Sequence, residues 1–94
     1  MTEQEIREWV ERQREANILM SDEVDHVAMC LHHIWQWYHE NLPVGGFVSA
    51  VLRNDFCAAC GRADDTNKRA LPLYAMFVYN YLPADYREKA KAEL

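Results

Sequence analysis

The residues best suited to chemistry in this sequence lie in LPVGGFVSAVLRNDFCAACGRADDTN, residues 42–67, which contains Asn54, Asp55 and Arg62 and ends on Asn67. Read as a helix at about 100° per residue, the run from Gly46 to Arg62 is apolar over most of its circumference. Only Ser49, Arg53 and Cys60 remain in a narrow solvent sector. Asn54, Asp55 and Arg62 fall inside the apolar arc, and Asp55 and Arg62 share nearly one azimuth. Charges placed there must be paired or used. If used, Arg62 offers forked donors to a phosphate or carboxylate, Asp55 holds Arg62 or accepts from a base edge, and Asn54 reads a polar edge. Tyr79 and Asn80, in the later YNYLP segment, would add a hydroxyl, an amide and a ring for stacking, as would Trp37. If paired, Asp55 and Arg62 form a structural ion pair that fixes helix register, with Asn54 and Asn80 tying helix ends. This plainer reading takes precedence for the charged pair.

Gly45 and Gly46 open the same stretch, and the free amides of a helix start can hold an anion. A plain interhelical turn after Pro43, with glycine chosen for its backbone, accounts for them more simply and takes precedence. A second set, His26, Cys30, His33 and Trp37, follows i, i+4, i+7, i+11 spacing. With Cys57 and Cys60 as further donors, these side chains have the types that bind zinc. The CxxC formed by Cys57 and Cys60 sits inside an apolar helix, however, and not in a zinc-knuckle turn or after a redox-fold strand. Small core thiols and partly exposed histidines are therefore expected, with no metal and no cofactor assigned.

The elements that position these residues are helical throughout. A helix over 1–20 has capping-box spacing between Thr2 and Glu5 and an apolar stripe of Ile6, Trp9, Val10, Gln13, Ala16 and Met20. A second helix, over 21–42, starts at Ser21 or Asp22 and buries Val24, Val27, Ala28, Leu31, Ile34, Trp35, Tyr38 and Leu42. The central helix spans 45–62. A helix over 65–82 is kinked or divided at Pro72, and 83–94 forms a short, marginal tail helix or a contact with another subunit. The fold class is all-α, a single small bundle of about four helices around an apolar central helix.

The run LPVGGFVSAVLRNDF, then GRADDTN, then YNYLP resembles a group of small proteins encoded by bacteriophages and prophages. The shared pattern falls on Pro43, Gly45, Phe47, Ala50, Val51, Leu52, Asn54, Asp55, Arg62, Ala63, Asp64, Asn67, Tyr79 and Asn80. Cys57, Cys60 and Pro72 lie outside it. The resemblance covers about half the chain, Tyr38 to Pro83, and carries no established activity. It implies an accessory protein acting inside a bacterium against host defence.

Composition narrows the function classes further. A net charge of −5 over 94 residues disfavours sequence-independent binding to duplex nucleic acid, which needs a basic face. No stretch is long and apolar enough to span a membrane. The start of the chain has neither a basic segment nor an apolar signal segment, and the odd cysteine count suits reduced thiols, so a bacterial cytosolic location is expected. Half the residues are hydrophobic, which leaves apolar surface for a homo-oligomer contact. No spacing selects an acid, base or nucleophile pair, so a non-catalytic protein is expected. Its ligand would be a small anion or nucleotide, sequestered. The alternative is an acidic inhibitor that blocks a host defence protein through Glu8, Glu11, Glu15, Asp64 and Asp65.

Overall fold

Thr2 opens the first helix by a reciprocal cap: its hydroxyl accepts from the Glu5 amide at 3.1 Å, and the Glu5 carboxylate accepts from the Thr2 amide at 2.9 Å. That backbone donor holds the Glu5 carboxyl below its usual range. In the computed structural model, which describes residues 1–94, α1 spans Glu3–Glu11 and buries Ile6, Trp9 and Val10. The helix expected over 1–20 stops there because the Gln13 side-chain amide caps the Trp9 carbonyl at 2.9 Å. The chain then tightens into a 3-10 turn, Arg14–Ile18, that buries Ala16 and leaves Met20 70% exposed.

Helix α2, Ser21–Glu40, carries the largest share of the core: Val24, Val27, Ala28, Cys30, Leu31, Ile34 and Trp37 are all buried. Its N-cap is Met20, not Ser21 or Asp22, and the Glu23 carboxylate accepts from the Met20 amide at 3.0 Å. The same carboxylate takes the Thr66 hydroxyl at 2.7 Å and pairs with Arg69, so it joins the start of α2 to the start of the fifth helix. Asn41, in the left-handed region at φ 57°, ends α2 two residues before Pro43.

The central helix expected over 45–62 is two helices, α3 (Gly46–Leu52) and α4 (Phe56–Arg62). Asn54 is left-handed at φ 57°. Around it the Asp55 amide returns to the Ala50 carbonyl at 3.0 Å and the Asn54 amide to the Val51 carbonyl at 3.0 Å, which is a Schellman ending. Asp55 restarts the chain at once, its Oδ1 accepting from the Ala58 amide at 3.0 Å as the N-cap of α4. Asp64 caps α5 (Asp65–Tyr81) in the same way through the Asn67 amide at 2.8 Å. Pro72 lies inside α5, which runs through it undivided. The tail docks as α6 (Tyr86–Glu93), with Tyr86 and Ala90 buried.

These six helices, with no strand, make one all-α globular domain. Trp9 of α1 stands edge-on to Phe77 and Tyr81 of α5, with centroids 5.6 and 5.7 Å apart. Phe47 of α3 meets Tyr74 of α5 edge-on at 5.0 Å. Lys89 fixes α6 to the end of α2, its ammonium 2.7 Å from Asn41 Oδ1 and 4.9 Å above the Trp37 ring. Tyr38 donates to Asp85 at 2.5 Å across the same junction. No helix is long and apolar enough to cross a membrane.

Candidate functional site

The corner between α3 and α4 borders an open space. An open cleft of about 650 Å³ lies between the α3–α4 corner, the Pro72 side of α5 and the start of α6, and twelve of its sixteen lining residues are hydrophobic. Ala50, Val51 and Ala59 line it from α3 and α4, and Leu71, Pro72 and Val78 from α5. Phe56 and Tyr79, 73% and 88% exposed, contribute rings from α4 and α5. A volume of this size suits a small ligand, since such sites run to about 300–1,000 Å³.

A second groove, of about 700 Å³, runs beside the cleft and is mixed in character: Arg53, Arg87 and Lys91 bring three cations against one carboxylate, Asp55, among apolar residues that include Cys57, Ala90 and Leu94. Asn54, Asp55, Phe56 and Arg87 line both spaces, so apolar cleft and cationic groove meet along one shared wall. Within that wall Asn54 donates its side-chain amide to the Tyr86 hydroxyl at 3.4 Å, and Arg53 Nη1 lies 3.5 Å from Asp55 Oδ2. Arg87 makes no ion pair; its guanidinium carbon sits 5.9 Å from the centre of the Tyr86 ring. The arrangement can hold a planar or aliphatic body in the cleft and an anionic end against the groove.

The residues expected at the site divide into two groups. Asn54, Asp55 and Tyr79 line the cleft. Arg62 does not. It is exposed and lies across the start of α3, where a Cβ added at Gly46 would meet its Nη1 at 2.7 Å. The expected Asp55–Arg62 pair is therefore replaced by Asp55 with Arg53, because Asp55 stands outside α4 as its N-cap, turned to the Ala58 amide, while Arg62 lies at the far end of that helix and reaches back to Gly46. Gly45 and Gly46 have no positive φ, and Gly45 has open space where a Cβ would go. Asn80 is exposed and outside the cleft. Trp37, the other expected stacking ring, is buried beneath Lys89.

Asn67 belongs to a different polar cluster, between α2 and α5. It is 5% exposed, and its Oδ1 accepts from the Tyr74 hydroxyl at 2.6 Å. Cys30 lies beside them and 3.8 Å from His26 Nε2, which is in turn 3.4 Å from Asp64 Oδ2. Burial pushes the Cys30 thiol and, more strongly, the Tyr74 phenol above their ordinary values. Both stay protonated, and Cys30 is an inert core thiol. His26, Cys30, His33, Cys57 and Cys60 do not converge, and no three His, Cys, Asp or Glu side chains form a group able to hold a metal ion.

Sequence reasoning missed Phe56, Arg87 and Lys91. A continuous helix over 45–62 places Phe56 in the apolar arc, whereas it is exposed. Arg87 and Lys91 stand four apart in the tail, a spacing that places two cations on one face. No protein-family model, curated protein or solved structure matches the chain.

Proposed function

We propose that this is a non-catalytic binding protein that sequesters a small amphiphilic anion, with a nucleotide as the leading kind. The observation that carries the reading is the shared wall of the apolar cleft and the cationic groove, formed by Asn54, Asp55, Phe56 and Arg87. A base would lie in the cleft against Phe56 or Tyr79, the Asn54 amide would meet its polar edge, and Arg87 with Lys91 would meet its phosphate. The phage-like setting and a role against host defence rest on the sequence resemblance. The alternative, an acidic inhibitor acting through the first helix, draws less support: Glu11 is already engaged by Arg7, and Glu8 accepts from Gln4 at 3.3 Å.

The test is titration of the ¹⁵N-labelled protein with nucleoside monophosphates, cyclic mononucleotides and decanoate, followed by amide shifts. Saturable shifts at Asn54, Phe56 and Arg87 are expected. Arg87→Ala should weaken binding about tenfold through loss of a charge-assisted contact, and Arg62→Ala should leave it unchanged. Saturation by decanoate alone would keep the site and replace the nucleotide by an aliphatic anion. No saturable shift with any of the three at millimolar concentration overturns the reading.

A further inference from the structure

The break at Asn54 also turns Cys57 outward, beside Cys60. Cys57 is exposed and Cys60 half-buried, three residues apart on α4, whereas Cys30 is buried between α2 and α5. Cys57 lines the cationic groove beside Arg53, Arg87 and Lys91. At this helical spacing Cα atoms stand about 5 Å apart, within disulfide range, while Cβ atoms at about 5–6 Å exceed the usual ~3.8 Å. Closing a bridge therefore requires α4 to tighten by a fraction of a turn. The helix can do so with little disturbance of the core, since it has seven residues and only Ala59 is buried. A bridge formed under these conditions is exposed and under tension, and such bridges belong to the reducible, labile kind.

We propose that Cys57 and Cys60 form a reversible dithiol–disulfide couple, with Cys57 as the attacking thiol and a small anionic disulfide of the glutathione disulfide kind as its oxidant. The Cys57 thiolate attacks one sulfur of the small disulfide, forms a mixed disulfide and expels one thiolate. The Cys60 thiolate then attacks Cys57 Sγ and expels the second. The protein gives up two protons and two electrons, and the small disulfide is reduced to two thiols. The cations of the groove hold the carboxylates of the oxidant at short range beside Cys57. The couple shares the groove with the proposed anion site but needs no bound ligand, so it does not rest on the nucleotide reading.

Intact-mass analysis of the reduced, full-length protein incubated with glutathione disulfide tests the assignment. The unsubstituted chain should lose about 2 Da and carry no adduct, with peptide mapping placing the bridge between Cys57 and Cys60. Cys60→Ser should retain one glutathione at Cys57. Cys57→Ser should react about tenfold more slowly than Cys60→Ser, because only the half-buried thiol remains on α4. In the Cys60→Ser background, Lys91→Glu should slow glutathione disulfide about threefold at low salt while leaving neutral bis(2-hydroxyethyl) disulfide unaffected. A persistent mixed disulfide in the unsubstituted chain, a bridge that includes Cys30, or equal rates for the two serine variants overturns the couple. Equal slowing of both reagents by Lys91→Glu overturns the role of the groove. Cys57→Ala, checked by circular dichroism, substitutes if Cys57→Ser fails to fold.

Discussion

Asn54 holds a left-handed backbone at φ 57° and at the same time donates its amide to Tyr86 at 3.4 Å, and these two demands can be separated by substitution. Glycine satisfies the first and not the second. Asn54→Gly should keep stability within about 0.5 kcal/mol in urea denaturation and weaken ligand binding severalfold. Asn54→Ala places a Cβ in the left-handed region and should cost about 1–2 kcal/mol. If alanine and glycine prove equally stable, the Schellman ending does not hold the corner. Asp55→Ala removes the cap of α4 and should cost about 1 kcal/mol. The buried pair between α2 and α5, whose Tyr74 also reaches the cleft wall, responds to pH. Tyr74 and Cys30 both titrate above their ordinary values, chiefly because burial disfavours their charged forms. The unfolded chain therefore releases these protons first as pH rises, and stability present below the unfolded pKa is lost above it. Stability should begin to fall near pH 9, as the unfolded Cys30 ionises, and more steeply beyond about pH 10, where an unfolded tyrosine does. Tyr74→Phe should remove the steeper part of that loss. At neutral pH it should cost about 1–2 kcal/mol, because Asn67 Oδ1 loses its buried donor. A pH profile unchanged by Tyr74→Phe would place the alkaline loss elsewhere.

Helix α5 runs through Pro72, which has no N–H to return to the Lys68 carbonyl and which lines the cleft with an exposed ring. Pro72→Ala restores that hydrogen bond and should stabilise the fold by about 1–2 kcal/mol, since the proline restricts the unfolded chain as well and its removal offsets part of the gain. The same change takes a ring from the cleft wall, so affinity should fall as stability rises. A variant that gains both would show that the proline does not shape the site. Much of this architecture was legible in the chain. The Thr2–Glu5 box, the Val24–Ile34 part of the α2 stripe and the all-α class follow from local pattern, whereas Leu42 lies beyond the helix and exposed, Trp35 and Tyr38 are only half-buried, and Cys30 and Trp37 of the neighbouring stripe are core. The corner within the central helix is illegible for a physical reason: periodicity sums over a window and does not register one left-handed residue, Asn54. Val51, Leu52 and Phe56 continue an apolar arc on paper, yet Asn54 followed by Asp55 is a stop and a start. With the chain restarted there, Asp55 is a cap outside α4 and parted from Arg62 at its far end, and Phe56 and Cys57 face solvent. The docking of α6 was illegible for another reason. It rests on Tyr38 with Asp85 and Lys89 with Asn41, pairs 47 and 48 residues apart in sequence, to which helix propensity is blind.

At the scale of the whole molecule, a net charge of −5 is spread over a body of 35 × 28 × 19 Å, while the proposed anion site is locally cationic. The two fields act at different distances. At about 0.01 M salt the Debye length is ~30 Å, so an approaching anion experiences the repulsion of nearly the whole protein. At about 0.15 M it is ~8 Å, and only the charges nearest the groove are felt. Raising salt should therefore speed association modestly by screening the global repulsion, the reverse of an electrostatically steered encounter. Once the anion is seated, Arg87 and Lys91 hold it at short range, and salt weakens that hold, so dissociation should also quicken, and by more. Stopped-flow or surface-based kinetics of nucleotide binding between 10 and 300 mM salt, values bracketing about one-tenth to twice physiological ionic strength, should show both rates rising and affinity falling. Lys91→Glu should flatten the dissociation trend and leave the association trend in place or steepen it. An association rate that falls with salt would mean that the groove governs approach from a distance despite the acidic surface. In that case the net charge of the chain would say nothing about how its ligand arrives.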